Sequence, residues 1–275
     1  MKRHPVLWFY VLAFAISWLG WLPMVAASQG IALFKHPLFQ FFLVLPAAGP
    51  TLAALMVARA DLGKAGAAAW FRSLWRWPVP WWWLLVVIVL PALLLLAQKA
   101  VTQMLGLPAM MEPLAPSGES KLGMLMAGLT VALLANPWEE VGWRGFALPR
   151  LQRNHSALVA TLTVGALWAL WHLPLFFWAD NPMSRRPFLL WFIGTVGDAF
   201  IYTWLFNSTR GSVLGVAIYH VLTNTYGAAI TGVSALGGSI VSVAVALLLI
   251  ALFGREHLAR GERIRGLSSL AHRQP

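Results

Sequence analysis

The chain contains no cysteine. Disulfides, thiolate metal centres and a cysteine nucleophile are therefore all excluded. Charge is also scarce: 11% of the 275 residues are charged and 59% are hydrophobic, where water-soluble domains carry about 25% charged residues. The mean hydropathy of +0.71 agrees. Acidic residues are rarer still, nine against 20 Lys and Arg, for a net charge of +11. In a soluble protein such an excess suggests nucleic acid. Here the basic residues sit in short segments beside apolar runs and at the C-terminus, so a membrane protein with a positive-inside bias is expected and no nucleic-acid partner.

What the chain does have is apolar segments of spanning length. A transmembrane helix needs about 20 mostly apolar residues. Runs of that kind lie near 5–27, 37–58, 80–104, 122–148, 157–179, 188–207, 212–232 and 235–253. The expected fold is an all-α, polytopic membrane helix bundle of about eight transmembrane helices enclosing an intramembrane catalytic cavity. Residues 1–254 form a single transmembrane domain with a core at 122–232, and 255–275 form a basic cytoplasmic tail. Pro5 to Ala27 is too long for a signal peptide and is read as the first helix.

With eight spans both termini share one side. That side collects Lys2, Arg3, Arg59, Lys64, Arg72, Arg76, Arg150, Arg153, Arg210 and the tail arginines, against Lys35, Lys99, Lys121, Arg185 and Arg186 opposite. The bias places both termini in the cytoplasm. Between the second and third spans, Lys64, Arg72 and Arg76 form one helical stripe, with Trp70, Leu74 and Trp77 on another face. This is expected to be an amphipathic helix in the cytoplasmic interface. Trp81, Trp82 and Trp83, at the start of a span, suit an interfacial aromatic belt.

Ionisable groups within spans cost at least about 2.5–3.5 kcal/mol on insertion scales and by default point to function. Glu139, Glu140, Arg144, His172, Asp198 and His220 are such groups, and Asn224 is a polar neutral beside them. Residues four apart share a helix face. Glu140 pairs in this way with Arg144, Trp168 with His172, and His220 with Asn224, each pair on its own span. Glu139 lies about 100° around the helix from Glu140, so Arg144 neutralises Glu140 and leaves Glu139 to face a histidine. Asp198, with Tyr202 one turn on, is expected to be structural or gating.

Two carboxylates, two histidines and an amide suit amide hydrolysis, which needs an activated water, donors for an oxyanion and an acid for the leaving amine. Glu139 with His172 would activate the water, and His220 with Asn224 would hold the oxyanion. Glu139, His172 and His220 are also a possible zinc set, although H-E-x-x-H is absent. A Glu/His/Asp ion relay in a transporter and a non-proteolytic membrane scaffold are the other readings.

The runs Glu139-Glu140-Val141-Gly142-Trp143-Arg144, Trp168 to His172 and His220 to Asn224 resemble the E-E-x-x-x-R, F-x-x-x-H and H-x-x-x-N motifs of the CPBP intramembrane proteases. That family includes type II CAAX prenyl endopeptidases and the bacterial CAAX protease and abortive-infection proteins. The resemblance implies that Glu139, His172, His220 and Asn224 are catalytic and that Glu140 and Arg144 support them. It leaves no cofactor or Zn2+ open, since members are described both as glutamate proteases and as metalloproteases. It implies membrane lipids and a peptide or membrane-protein substrate as partners, and a bacterial inner (plasma) membrane as the location. Trp168 stands where the pattern has Phe, and the expected effect is on the substrate groove.

Depth is a geometric constraint. At 1.5 Å per residue, His220 lies about 12 Å into its span and His172 about 22 Å into its own, with Glu139 near the cytoplasmic end of a third. Straight perpendicular helices do not bring these together. Tilt, a later start for the fifth span or a break at Pro137 is required, and Pro174 is placed to bend the fifth span. The expectation is a cavity open to the cytoplasm with irregular backbone at Asn136-Pro137.

Overall fold

A computed structural model describes residues 1–109 and 120–266, with the side chain of Lys121 left out. Residues 110–119, and residues 267–275 of the expected basic tail, lie outside the described residues. The described chain is helical: α1 (Pro5–Ser28), α2 (Val44–Ser73), α3 (Trp82–Met104), α4 (Lys121–Gly142), α5 (Leu148–Asn154), α6 (Ala157–Trp171), α7 (Phe188–Ser208), α8 (Val213–Ala229) and α9 (Ala235–His257). Eight of these answer to the eight apolar runs. Among the described residues, five segments are both long and apolar enough to cross a membrane: α1, residues 37–73, α3, α7 and α9. Helices α6 and α8 have only 15 and 17 residues, about 22 and 26 Å against a hydrocarbon thickness of about 30 Å.

Short-range chemistry sets several of the starts. Ser120, Ser156, Ser212 and Ser234 each precede a helix, and each hydroxyl accepts the N–H of the residue three further on, Gly123, Val159, Gly215 and Gly237. These caps satisfy N–H groups that a helix cannot satisfy itself. The helices then pack in a ring: α1 on α2, α2 on α4, α4 on α8, α8 on α3, α3 on α9, α9 on α7 and α7 on α6. The indole of Trp18 on α1 closes the ring by donating to the carbonyl of Trp171, 2.9 Å away.

Small residues bring these helices close, as membrane packing requires when lipid is as apolar as the core. A Cβ at Gly142 would lie 2.6 Å from Cβ of Pro50, so the α2–α4 crossing admits only glycine there without a shift. On α7, Gly194 and Gly197 face Ser239 and Ser242 of α9.

Two expectations change here. Residues 64–73 are helical and present Lys64 and Arg72 to the exterior, but Ala67, Trp70 and Leu74 are buried in protein rather than lying on an interface. Gly63, at φ 73°, kinks α2 and turns this segment inward, where the Trp70 indole donates to the Gly145 carbonyl at 3.1 Å. Secondly, α4 runs through Asn136-Pro137 without a break. The irregular backbone comes later, as a π-helical turn at Trp143–Ala147 that leads into α5.

That turn resolves the depth problem. It is wholly buried and contacts α6, α7 and α8. Because α5 extends the α4 column beyond it, the connection to α6 falls at His155-Ser156, and Glu139 and His172 stand about equally far along the chain from it. The expected fourth span, ending at 148, was one short helix too short.

Candidate active site

Glu139 and Glu140 are neighbours near the end of α4, yet they have different partners. Glu140 is fully buried. Both of its oxygens accept from Nη1 of Arg144, itself fully buried, at 3.0 and 3.1 Å. One of them, Oε1, also lies 2.8 Å from Nδ1 of His220. The Arg144 guanidinium is sandwiched between the rings of Trp168 and Tyr202, 4.5 and 4.2 Å from their centroids. Its Nε and Nη2 have no hydrogen-bond partner, and the two π faces supply the negative potential instead.

Glu139 is turned away from this ion pair. Its Oε2 accepts from the indole N–H of Trp168 at 3.0 Å, and Asn136, one turn earlier on α4, reaches the same carboxylate. Asn136 in turn accepts from the Asn224 amide of α8 at 3.0 Å. Asn224 is exposed whereas Asn136 is buried, so the pair runs from the bundle interior to its surface.

His172 is placed by the end of α6. Pro174 has no N–H and restricts the residue before it, so α6 stops at Trp171 rather than bending, and a 3-10 turn follows at Leu173–Phe176. The amide of His172 consequently turns to the Ala169 carbonyl. The carbonyl of Trp168 is left to meet Nδ1 of His172, 2.9 Å away.

The identity of these partners fixes both imidazoles. A carbonyl can only accept, so Nδ1 of His172 carries the proton. The ion-paired carboxylate of Glu140 is likewise an acceptor, so Nδ1 of His220 carries one too. In their neutral forms both rings then hold an unprotonated Nε2. His220 lies within electrostatic reach of both Glu139 and His172, and its ring meets Trp168 edge-on at 5.5 Å.

Each member of the two expected pairings has its own hydrogen-bond partner. His220 and Asn224 share a face of α8, but each turns to α4, His220 to Glu140 and Asn224 to Asn136. Among the described residues no hydrogen bond joins Glu139 to His172, and Trp168 links them through its indole and its carbonyl. Trp168 therefore touches both Glu139 and His172. Asn136 was missed as a polar partner because the adjacent proline suggested a break. Its position three residues before Glu139 was the available signal.

Asp198 accepts from Ser242 of α9 at 2.6 Å. This bond ties α7 to α9. As for zinc, both histidines turn Nδ1 to an acceptor and leave Nε2 available, an arrangement common behind metal-bound imidazoles. Yet among the described residues no three His, Asp or Glu side chains converge to hold a metal ion. The set formed by Glu139, His172 and His220 does not fit a three-ligand centre.

Residues 121–226 match the family described as Type II CAAX prenyl endopeptidase Rce1-like. Over 103 residues the chain is 35% identical to CAAX prenyl protease 2 of Methanococcus maripaludis, a match covering 35% of this chain and 38% of that protein. The part matched to that protein is thus well under half of either chain, and the family match at 121–226 contains every candidate residue from Glu139 to Asn224. Through this segment the chain is similar to the Rce1-like type II CAAX prenyl endopeptidases.

Proposed function

We propose that the protein is an intramembrane endopeptidase that cleaves a peptide or membrane-protein substrate by glutamate-activated water. The observation that carries this is the separation of the two adjacent carboxylates. Glu140 is neutralised by Arg144, while among the described residues the geometric hydrogen bond to Glu139 is to Oε2 alone, from Trp168.

In this reading Oε1 of Glu139 removes a proton from water, and the lone pair on Nε2 of His172 accepts the second hydrogen and orients the oxygen for attack. The water oxygen bonds to the substrate carbonyl carbon, and the carbonyl oxygen takes up the negative charge. Asn224, with one amide N–H bound to Asn136, offers its other to that oxygen. His220 presents an acceptor as neutral imidazole and a donor as imidazolium, so its help to the oxyanion requires the protonated form, for which Glu140 is the counter-ion. Glu139 then passes its proton to the leaving nitrogen as the C–N bond breaks. Low dielectric around the buried groups strengthens each of these interactions.

The basic side of the chain would face the cytoplasm, with both termini on it and surrounding lipids in contact with the outer helices. A bacterial inner membrane suits that arrangement. The prenylated substrates suggested by the relative's name are one class to test, alongside unmodified peptides.

The test is cleavage of a peptide library, prenylated and unprenylated, by the purified protein in detergent. Wild type is expected to cleave, and Glu139→Gln to be slower by about 10²–10⁴-fold, the usual contribution of a positioned acid–base group. Equal cleavage by the two proteins would refute the assignment. Activity that a chelator abolishes and zinc restores would instead favour a metal enzyme.

A further inference from the structure

We infer that Trp168 is a positioning residue for Glu139 and His172, and that its indole N–H selects which oxygen of Glu139 is free to act. This rests on the proposed hydrolysis for its kinetic consequence, but not for its geometry.

Three observations meet at this side chain. The indole N–H donates to Oε2 of Glu139 at 3.0 Å. The backbone carbonyl of the same residue holds Nδ1 of His172 at 2.9 Å. The ring face carries the Arg144 guanidinium at 4.5 Å, which itself binds Glu140. Trp168 is 6% exposed, so no competing bulk solvent weakens these contacts. A carboxylate on a helix side chain can rotate and exchange its two oxygens. A charge-assisted bond to one of them, in a dry setting, prevents that exchange. Oε1 is thereby kept for the water, while the same residue holds Nδ1 of His172.

The arrangement depends on the ring nitrogen. A phenylalanine, the residue of the resembled motif, would retain the aromatic face for Arg144 and the carbonyl for His172. It would have no N–H for Glu139. Trp168→Phe thus deletes the one interaction and spares the others.

Two measurements decide the matter. In [15N]tryptophan-labelled protein in detergent micelles, the indole resonance lost in Trp168→Phe identifies the Nε1–H. It is expected downfield of the other indoles and expected to move upfield in Glu139→Ala, but not in Asp198→Asn. An unchanged position in Glu139→Ala overturns the inference. With any peptide the wild type cleaves, Trp168→Phe is expected to lower kcat about 10- to 100-fold, the scale of one hydrogen bond to a charged group, with KM changed less than about twofold. Trp204→Phe removes a buried indole N–H elsewhere that has no hydrogen-bond partner among the described residues and is expected to leave kcat unchanged. A wild-type kcat for a folded Trp168→Phe also overturns the inference. Should the wild type cleave no peptide, the proposed hydrolysis fails and the resonance alone decides whether Trp168 holds Glu139.

Discussion

Helix α3 and helix α6 show how the molecule divides its work. The first is long and apolar, buries only Val87, Pro91 and Thr102, and turns most of its surface outward. The second is too short to cross a membrane unaided and buries about half of its residues, including Trp168 and Trp171. The same contrast separates α9 from α8. Helices that meet lipid along their length need unbroken apolar character, since nothing there can satisfy a polar group. The helices that lead to His172 and carry His220 are more enclosed and can be shorter. Helix α4 combines both characters: it has 22 residues and exposes much of its first part, and it buries the end that holds Glu139 and Glu140.

Breaking the buried charge set should show the contrast most strongly. Glu140→Leu leaves Arg144 buried without its counter-ion, and a loss of about 3–5 kcal/mol is expected. Leu96→Ala on the outer face of α3, where the side chain is 52% exposed, should cost less than about 0.5 kcal/mol by comparison. Chemical denaturation of the two variants in mixed micelles measures both.

Next in size is Gly142→Ala, which forces a methyl group onto Pro50 where α2 and α4 cross. Overpacking of this kind costs about 1–3 kcal/mol. A thermal midpoint equal to wild type would mean that the crossing is looser than described. Asn136→Ala removes the anchor of Asn224 and one neighbour of Glu139. The expected stability loss is about 0.5–1.5 kcal/mol, with cleavage falling more steeply than stability; an unchanged rate would remove Asn224 from the oxyanion role. The smallest effect belongs to Asp198→Asn, which keeps an acceptor for Ser242. Cleavage within about twofold of wild type is expected, in line with surface-like tolerance at a satisfied position, and a large loss would reconnect Asp198 to the site.

Much of this was legible in the chain because membrane insertion makes strong local demands. An apolar run of sufficient length has few alternatives to a helix, and an ionisable residue within one is conspicuous. The i, i+4 rule likewise placed Glu140 beside Arg144. It was less useful for His220 and Asn224, because sharing a helix face does not determine which neighbour each side chain meets. Trp168 was visible as a motif position, but its indole donor acquired a role only once the fold brought it to Glu139 at the end of α4.

The sequence by itself determined that this is a helical membrane protein, which segments are buried in it, and which polar residues are costly enough to require partners. Those are properties of composition and periodicity, and they follow from the expense of unsatisfied polar groups in hydrocarbon. The tertiary structure alone decided that Glu139 binds Trp168, that Glu140 binds His220, and that a π turn after Gly142 sets the length of the α4–α5 column. Each depends on the approach of helices distant in the chain, and no local spacing encodes that approach.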